Sequence, residues 1–167
     1  MERWAKLASG GKKVGPNPTD RGKAGTKRSI LVDEQGGPLA AVIDGANVHD
    51  TKLLDATLAA VVVERPAAAD QEQHLCLDKG YDNPTGHAAV AKHDYVPHIR
   101  RIGEDATARR HKKSKPRRWV VERTLSWLSK CRALLVRYDK NWFNQLGLIQ
   151  LACALLWYRR AHRLGAG

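Results

Sequence analysis

The chain has 167 residues, and 43% of them are hydrophobic, which is enough for one packed core. Its three cysteines are far apart in the sequence, so they predict neither a disulfide framework nor a zinc site and fit a reducing cytoplasm. The polar amino terminus does not resemble a signal peptide, and the apolar run at residues 146–157 is shorter than the roughly 20 residues of a membrane-spanning helix. We therefore expect one cytoplasmic globular unit with no membrane contact.

The net charge of +12 is unevenly distributed. Lysine and arginine outnumber acids by eight to two in residues 1–28 and by fourteen to four in residues 99–140, and residues 141–167 carry three basic residues and no acid. Residues 29–98 are acidic, with eleven acids against four basic residues. Basic flanks attract nucleic-acid phosphates through counterion release, and an acidic middle attracts cations. A basic surface that only keeps the protein soluble, as on many ribosomal proteins, explains the charge equally well.

The first 28 residues predict an arm or loop, because they are rich in glycine, proline and lysine and have no hydrophobic period. Two β-rich runs follow at residues 29–32 and 39–43, and the residues between them favour a turn. This pattern predicts a β-hairpin. We therefore divide the chain into a basic arm, residues 1–28, and one folded domain, residues 29–167.

Helices and strands alternate in the next part of the chain. The predicted elements are a helix at residues 50–63, a buried strand at 75–77, a helix at 84–93 and a strand at 95–99. Asp50 or Thr51 is the expected cap of the first helix. The resulting order, ββαβαβ, uses helices as crossovers between parallel strands and predicts an α/β fold.

Asp78 directly follows the apolar run at residues 74–77. Open α/β sheets bind ligands at the carboxyl ends of their strands, and carboxylate oxygens are the ligands that Mg²⁺ prefers. Two such ions about 3.5–4 Å apart can activate a nucleophile and stabilise charge on a phosphodiester. An aspartate in this position also commonly does no more than start a turn, so both interpretations stay open.

A long amphipathic helix is predicted from residue 116 to about residue 138, because apolar residues recur there at intervals close to 3.6. Arg118 and Glu122 fall together on the side of this helix nearly opposite its apolar face. In one interpretation they form an exposed ion pair worth about 0.3–0.5 kcal/mol. In the other, Glu122 points across a cleft at Asp78, and Arg118 orients it or binds a phosphate.

Four motifs resemble those of bacterial DDE transposases of insertion-sequence families four and five. They are GPNPTDRGK at residues 15–23, GANVHD at 45–50, LDKGYD at 77–82 and RWVVERT at 118–124. They occur in the family's order over essentially the whole chain. Four spaced motifs make the resemblance far more specific than any one of them.

The resemblance implies a ribonuclease H-like fold, a mixed sheet flanked by helices, and metal-dependent DNA cleavage and strand transfer at insertion-sequence ends. Asp78 matches the family's second catalytic Asp, and Glu122 matches its catalytic Glu. Both are expected to bind metal, as two Mg²⁺ or Mn²⁺ ions in the complete enzyme. Arg118 matches the family's arginine four residues before that Glu, and Lys130 lies one position beyond where the family's further basic residue usually stands. Lys115 occupies a position where the family often has tyrosine.

The partner that the resemblance implies is double-stranded DNA, as terminal inverted repeats and as target, in the nucleoid of a bacterial cytoplasm. A homo-oligomer on the DNA is expected. The residues expected to contact DNA are Lys112, Lys113, Lys115, Arg117, Arg118, Arg123 and Lys130.

The family's first catalytic Asp has no match here, because residues 1–14, where the end of the first strand is expected, contain no Asp. We therefore expect the fold to lack its first strand, which would leave an exposed sheet edge. Asp20, Asp33 or Asp50 could supply a third carboxylate, although no pattern favours one of them. The chain then corresponds to the carboxy-terminal portion of a transposase, either as a gene fragment or as a second reading frame joined to an upstream frame by frameshifting.

Little cleavage activity is expected from the isolated chain. The alternative function is a catalytically inactive DNA-binding fragment. Such a fragment would regulate or inhibit transposition by occupying DNA ends or by pairing with a full-length transposase.

Overall fold

The computed structural model describes residues 5–7, 11–67, 69–99 and 118–165. The strands are β1 Ala5–Leu7, β2 Gly15–Pro16, β3 Ala24–Val32, β4 Pro38–Gly45, β5 Gln73–Leu77, β6 Tyr95–Ile99 and β7 Val136–Arg137. The helices are α1 Asp50–Ala59, α2 Pro84–Lys92, α3 Arg118–Leu128 and α4 Trp142–Gly165. Single 3₁₀ turns lie at Lys79–Tyr81 and Arg132–Leu134.

The predicted hairpin is confirmed, and it is longer than expected. Its strands β3 and β4 pair antiparallel from Thr26 opposite Gly45 to the turn. In that turn the Asp33 carboxylate accepts hydrogen bonds from the backbone N–H groups of Gln35, at 2.9 Å, and Gly37, at 2.7 Å. The side chain thereby replaces backbone partners that a tight turn cannot supply. Because β3 begins at Ala24, part of the predicted arm belongs to the sheet.

The strands form two sheets, whereas the sequence predicted one mixed sheet. The larger sheet has the order β2–β3–β1–β7, with β4 also paired to β3, and the smaller one contains β5 and β6. The predicted parallel pairing of β5 with β6 across α2 is confirmed. A short strand, β1, does pair with the beginning of β3, at Gly25 and Thr26. Within the described ranges, however, no strand pairing joins β3 to β5, so the single sheet is not formed.

Two apolar clusters hold the elements together. The first lies between the β3–β4 hairpin and helices α3 and α4, and its buried members are Ile43, Leu128, Leu134, Ile149 and Ala152. The second joins α1, α2 and β5 through Leu54, Leu58, Leu75, Ala89 and Val90, with Leu31 of β3 packed against it. Helices thus cover opposite faces of β3, which fixes α1 beside the end of β5.

Two helices are shorter than predicted, and one cap differs. Helix α1 begins at Asp50 as predicted but ends at Ala59 instead of residue 63. The cap of α1 is His49, whose ring nitrogen Nδ1 accepts from the Thr51 N–H at 3.4 Å, so the prediction of Asp50 or Thr51 was wrong by one or two residues. Helix α3 ends at Leu128 instead of near residue 138, because Cys131 is extended and the chain turns to bury Leu134 and to pair β7 with β1.

Helix α4 is longer than the apolar run at residues 146–157, since residues 142–145 and 158–165 continue the same helix. Within the described part of the chain, neither α4 nor any other helix combines the length and apolarity needed to cross a bilayer.

Asp55 links α1 to the end of α2, and its contacts there predict that the stability of the protein depends on pH. The Asp55 carboxylate accepts from Lys92 Nζ at 2.9 Å and lies 2.8 Å from His93 Nε2. Chiefly the hydrogen bond from Lys92, and then that from His93, lowers the pKa of Asp55 from its ordinary 3.8. A carboxyl whose pKa is lower when folded stabilises the protein above its unfolded pKa and loses that effect as the pH falls through its folded pKa.

We therefore expect Asp55→Asn to lower the melting temperature at neutral pH and to make little difference well below pH 3.8. The measurement is thermal unfolding of the wild type and of Asp55→Asn at a series of pH values from neutral to well below 3.8. Asp70→Asn, a change at an exposed loop position, is the control. A melting-temperature difference that stays constant on acidification would contradict the assignment.

Candidate active site

Asp78 lies where the sequence placed it, directly after the last residue of β5. Its backbone is extended, and its Oδ1 atom accepts the Gly80 N–H at 2.9 Å. The carboxylate thus caps the 3₁₀ turn that follows. This is the turn-forming role of the simpler interpretation, and it leaves the second carboxylate oxygen available on the surface.

A pocket of about 320 Å³ opens beside this carboxylate. The residues that line it are His49, Asp50, Asp78, Lys79, Gly80 and Tyr81. The pocket therefore joins the first turn of α1 to the carboxyl end of β5. It is the edge at which an α/β sheet is expected to bind a ligand.

A buried lysine holds one wall of this pocket. Lys27 of β3 is only 5% exposed, and its ammonium group donates to the Val48 carbonyl at 2.7 Å and to the Asp50 carboxylate. The attraction neutralises Asp50 where it borders the pocket. Sequence reasoning missed Lys27 because the glycine- and lysine-rich composition of residues 22–27 suggested an arm, and residues 25–28 are all buried without an alternating pattern that would mark Lys27.

The three carboxylates considered as substitutes for the family's first catalytic Asp all have basic or backbone partners. Asp50 pairs with Lys27, Asp20 lies 3.7 Å from Lys23 Nζ, and Asp33 both caps the hairpin turn and accepts from Arg160 at 2.8 Å. Only Asp50 reaches the pocket.

Glu122 lies in the second turn of α3 and is partly exposed. The next two residues bind the hairpin turn: Arg123 donates to the Gln35 carbonyl, and Thr124 donates to the Gly36 carbonyl at 2.7 Å. From that turn back to Lys27, β3 runs for about 20 Å at 3.3 Å per residue. Glu122 is not among the residues that line the Asp78 pocket, and its neighbours Arg123 and Thr124 contact the hairpin turn, at the other end of β3 from Lys27.

The pocket offers the kind of ligand that a divalent cation binds, but it offers too few of them. The Asp78 carboxylate is a hard oxygen ligand of the kind that Mg²⁺ and Mn²⁺ bind. Among the described residues, however, no three metal-ligating side chains converge. The described residues therefore do not complete a metal centre by themselves.

The predicted DNA-binding residues are only partly described. Lys112, Lys113, Lys115 and Arg117 lie outside the described residues, and Arg118 begins α3. The guanidinium of Arg123 lies 4.8 Å from the centre of the exposed Trp119 ring, besides its bond to the hairpin turn. Lys130 is exposed just after α3 ends. Trp127 packs against the first apolar cluster.

An aspartate at a strand end, a helix with a glutamate and a mixed α/β architecture agree with the resemblance to DDE transposases, and the chain belongs to the transposase DDE domain family. The model of the transposase DDE domain family matches residues 4–157. A relative in Burkholderia cepacia, named as transposase for insertion sequence element IS402, is 32% identical over 166 residues, which cover 96% of this chain and 74% of the relative. No solved structure matches the chain significantly.

The resemblance to bacterial insertion-sequence DDE transposases is therefore confirmed. Membership of this family supports a role in DNA transposition, with DNA as the substrate and divalent metal ions as the family's general cofactor.

Proposed function

We propose that this chain contributes Asp78 and Glu122 to a DDE site that cleaves DNA and transfers strands at insertion-sequence ends. The observation that carries the proposal is the place of Asp78, at the carboxyl end of β5 and in the wall of a pocket. Glu122 follows in a helix whose surroundings are strongly basic, as contact with DNA phosphates requires.

In this proposal two Mg²⁺ or Mn²⁺ ions, when bound, supply the activation of the nucleophile and the stabilisation of charge on the phosphate. The chain's own residues prepare the site. The Gly80 N–H fixes one oxygen of Asp78, and Lys27 fixes Asp50 on the opposite wall. Replacing either Asp78 or Glu122 in a complete transposase tests the assignment: strand transfer is lost if the two acids bind the metals and retained if they do not.

Glu122 reaches Asp78 in this proposal only when further parts of the transposase complete the site. We propose that those parts come from an upstream-frame product or from full-length transposase, in a homo-oligomer assembled on terminal inverted repeats and target DNA in the nucleoid. Among the residues that the structure describes, the set of metal ligands around Asp78 is incomplete, which supports this dependence.

The incomplete set of described metal ligands around Asp78 also favours a second candidate, a catalytically inactive DNA-binding fragment that regulates transposition. The net charge of +12 supports DNA affinity without any metal site. Such a fragment would compete with active transposase for DNA ends or join it in an inactive oligomer.

We expect the purified chain to bind terminal inverted-repeat DNA and to cut it little or not at all in Mg²⁺ or Mn²⁺. Gel shifts should show affinity that falls linearly on a log–log plot against salt, because phosphate contacts release counterions. The double change Arg117→Ala and Arg118→Ala should weaken binding, whereas Gln71→Ala, at an exposed site in the acidic middle, should not. Efficient cleavage by the isolated chain would rule out the inactive-fragment candidate.

A further inference from the structure

Two histidines meet on the smaller sheet, away from the pocket. His74 of β5 and His98 of β6 bring His74 Nδ1 and His98 Nε2 to 2.9 Å, with ring centres 4.9 Å apart. The parallel register sets Cys76 directly opposite His98. Neither family membership nor the proposed function uses these side chains.

The pair lies on an exposed face of this sheet. Leu75 packs into the cluster with α1 and α2, so the alternation of β5 points His74 and Cys76 to the other side. His98 shares that face because it is the register partner of Cys76. All three side chains are exposed, so an ion has free access to both rings.

We propose that His74 and His98 together bind one divalent transition-metal ion of the class Zn²⁺, Ni²⁺ or Cu²⁺. Metal–nitrogen bonds of about 2.05 Å place two ligating nitrogens about 2.9 Å apart at a right angle and about 3.4 Å apart at the tetrahedral angle. The observed 2.9 Å separation matches the lower value, and small ring rotations reach the upper one. Neutral imidazole suits these metals, whereas Mg²⁺ prefers oxygen.

Water supplies the remaining ligands in this proposal, since no third metal-ligating side chain converges with the pair among the described residues. The site is therefore weaker than a closed structural zinc site with four protein ligands. The competing interpretation is a plain hydrogen bond, in which one neutral ring donates to the other and no metal binds.

Calorimetric titration of the chain with Ni²⁺ tests the proposal. A Cys76→Ser background removes the neighbouring thiol as an alternative ligand. We expect one ion per chain at this site. Either His74→Asn or His98→Asn should weaken binding about tenfold or more, and the double variant should be no weaker than either single one, because one lost nitrogen already breaks the chelate.

His162→Asn is the matched control, since His162 is exposed on α4, far along the chain from the pair. Its affinity for Ni²⁺ should be unchanged. Resonances of the His74 and His98 rings should broaden first when Ni²⁺ is added to ¹⁵N-histidine protein. Unchanged affinity in both pair variants, or an equal loss in His162→Asn, would overturn the proposal.

The outcome is separable from that of the proposed transposase site. Excess Mg²⁺ should not displace Ni²⁺ from the histidine pair, and the pair variants should leave gel shifts with inverted-repeat DNA unchanged. Displacement by Mg²⁺ would place the ion on carboxylates and refute the histidine site without bearing on strand transfer.

Discussion

Replacing Asp78 with Asn in a complete transposase that contains this sequence is expected to lower Mg²⁺-dependent strand transfer about a thousandfold or more. An amide keeps the shape and the hydrogen bond to the Gly80 N–H but loses the negative charge that binds a cation. Loss of several kcal/mol of charge stabilisation corresponds to about three orders of magnitude in rate. Strand transfer with pre-cleaved end DNA is the measurement, and gel shifts should show nearly unchanged DNA affinity.

Glu122→Gln should have an effect of the same size, because both acids serve one metal centre. The matched controls are Asp70→Asn and Glu64→Gln, both exposed in the acidic middle of the chain. If either acid could be replaced with full retention of transfer, that residue would have no place in the site. If DNA affinity fell in parallel with transfer, the acids would be acting on DNA binding or folding instead.

Local patterns predicted most of the individual elements. Asp33 marks the turn between β3 and β4, because its carboxylate accepts a backbone hydrogen bond within the turn. In the strand–helix–strand unit from β5 to β6, an Asn cap and a proline mark the start of α2. Each of these signals acts within a few residues, so the sequence reveals it. β6 was predicted at its exact bounds.

Long-range pairings were not predictable in the same way. β1 and β7 are three and two residues long, and they pair with each other across more than 120 positions of sequence. Their hydrophobic pattern is too short to show a period. The division into two sheets likewise depends on pairings between distant segments, which a local pattern does not contain.

In the candidate site too, local features were predictable and long-range contacts were not. The strand end predicted the position of Asp78, because a single run of apolar residues defined it. The buried bond from Lys27 to Asp50 joins residues 23 positions apart, and no local pattern marks it. The shared metal centre of Asp78 and Glu122 stays a prediction, since the turn contacts of α3 hold Glu122 towards the other end of β3.

Loss of the Arg137 side chain should strongly destabilise this fold. Its side chain is fully buried, and it connects β7 to the segment before β2 and to the start of β3. Its guanidinium donates to Thr26 Oγ1 at 2.8 Å and to the carbonyls of Asp139 at 2.9 Å, Lys12 at 3.1 Å, Lys140 at 3.2 Å and Lys13 at 3.3 Å. Burial lowers the pKa of Arg137, yet arginine stays charged in proteins.

We expect Arg137→Ala to lower the free energy of unfolding by about 3 kcal/mol, because several buried acceptors lose their donor at once. That is a large share of the roughly 5–15 kcal/mol that stabilises a domain. Urea denaturation followed by circular dichroism measures it. Arg132→Ala, at an exposed position in the same connection, should change stability by less than about 0.5 kcal/mol.

Arg137→Lys separates the charge from the geometry. Lysine keeps the positive charge but has one nitrogen, so it can satisfy only some of the acceptors that the planar guanidinium reaches in two directions. Its stability should therefore fall between those of the wild type and Arg137→Ala. If the Arg137→Lys protein were as stable as the wild type, the positive charge alone would account for the stabilising effect of Arg137. The multiple hydrogen bonds would then contribute little to the packing of β7.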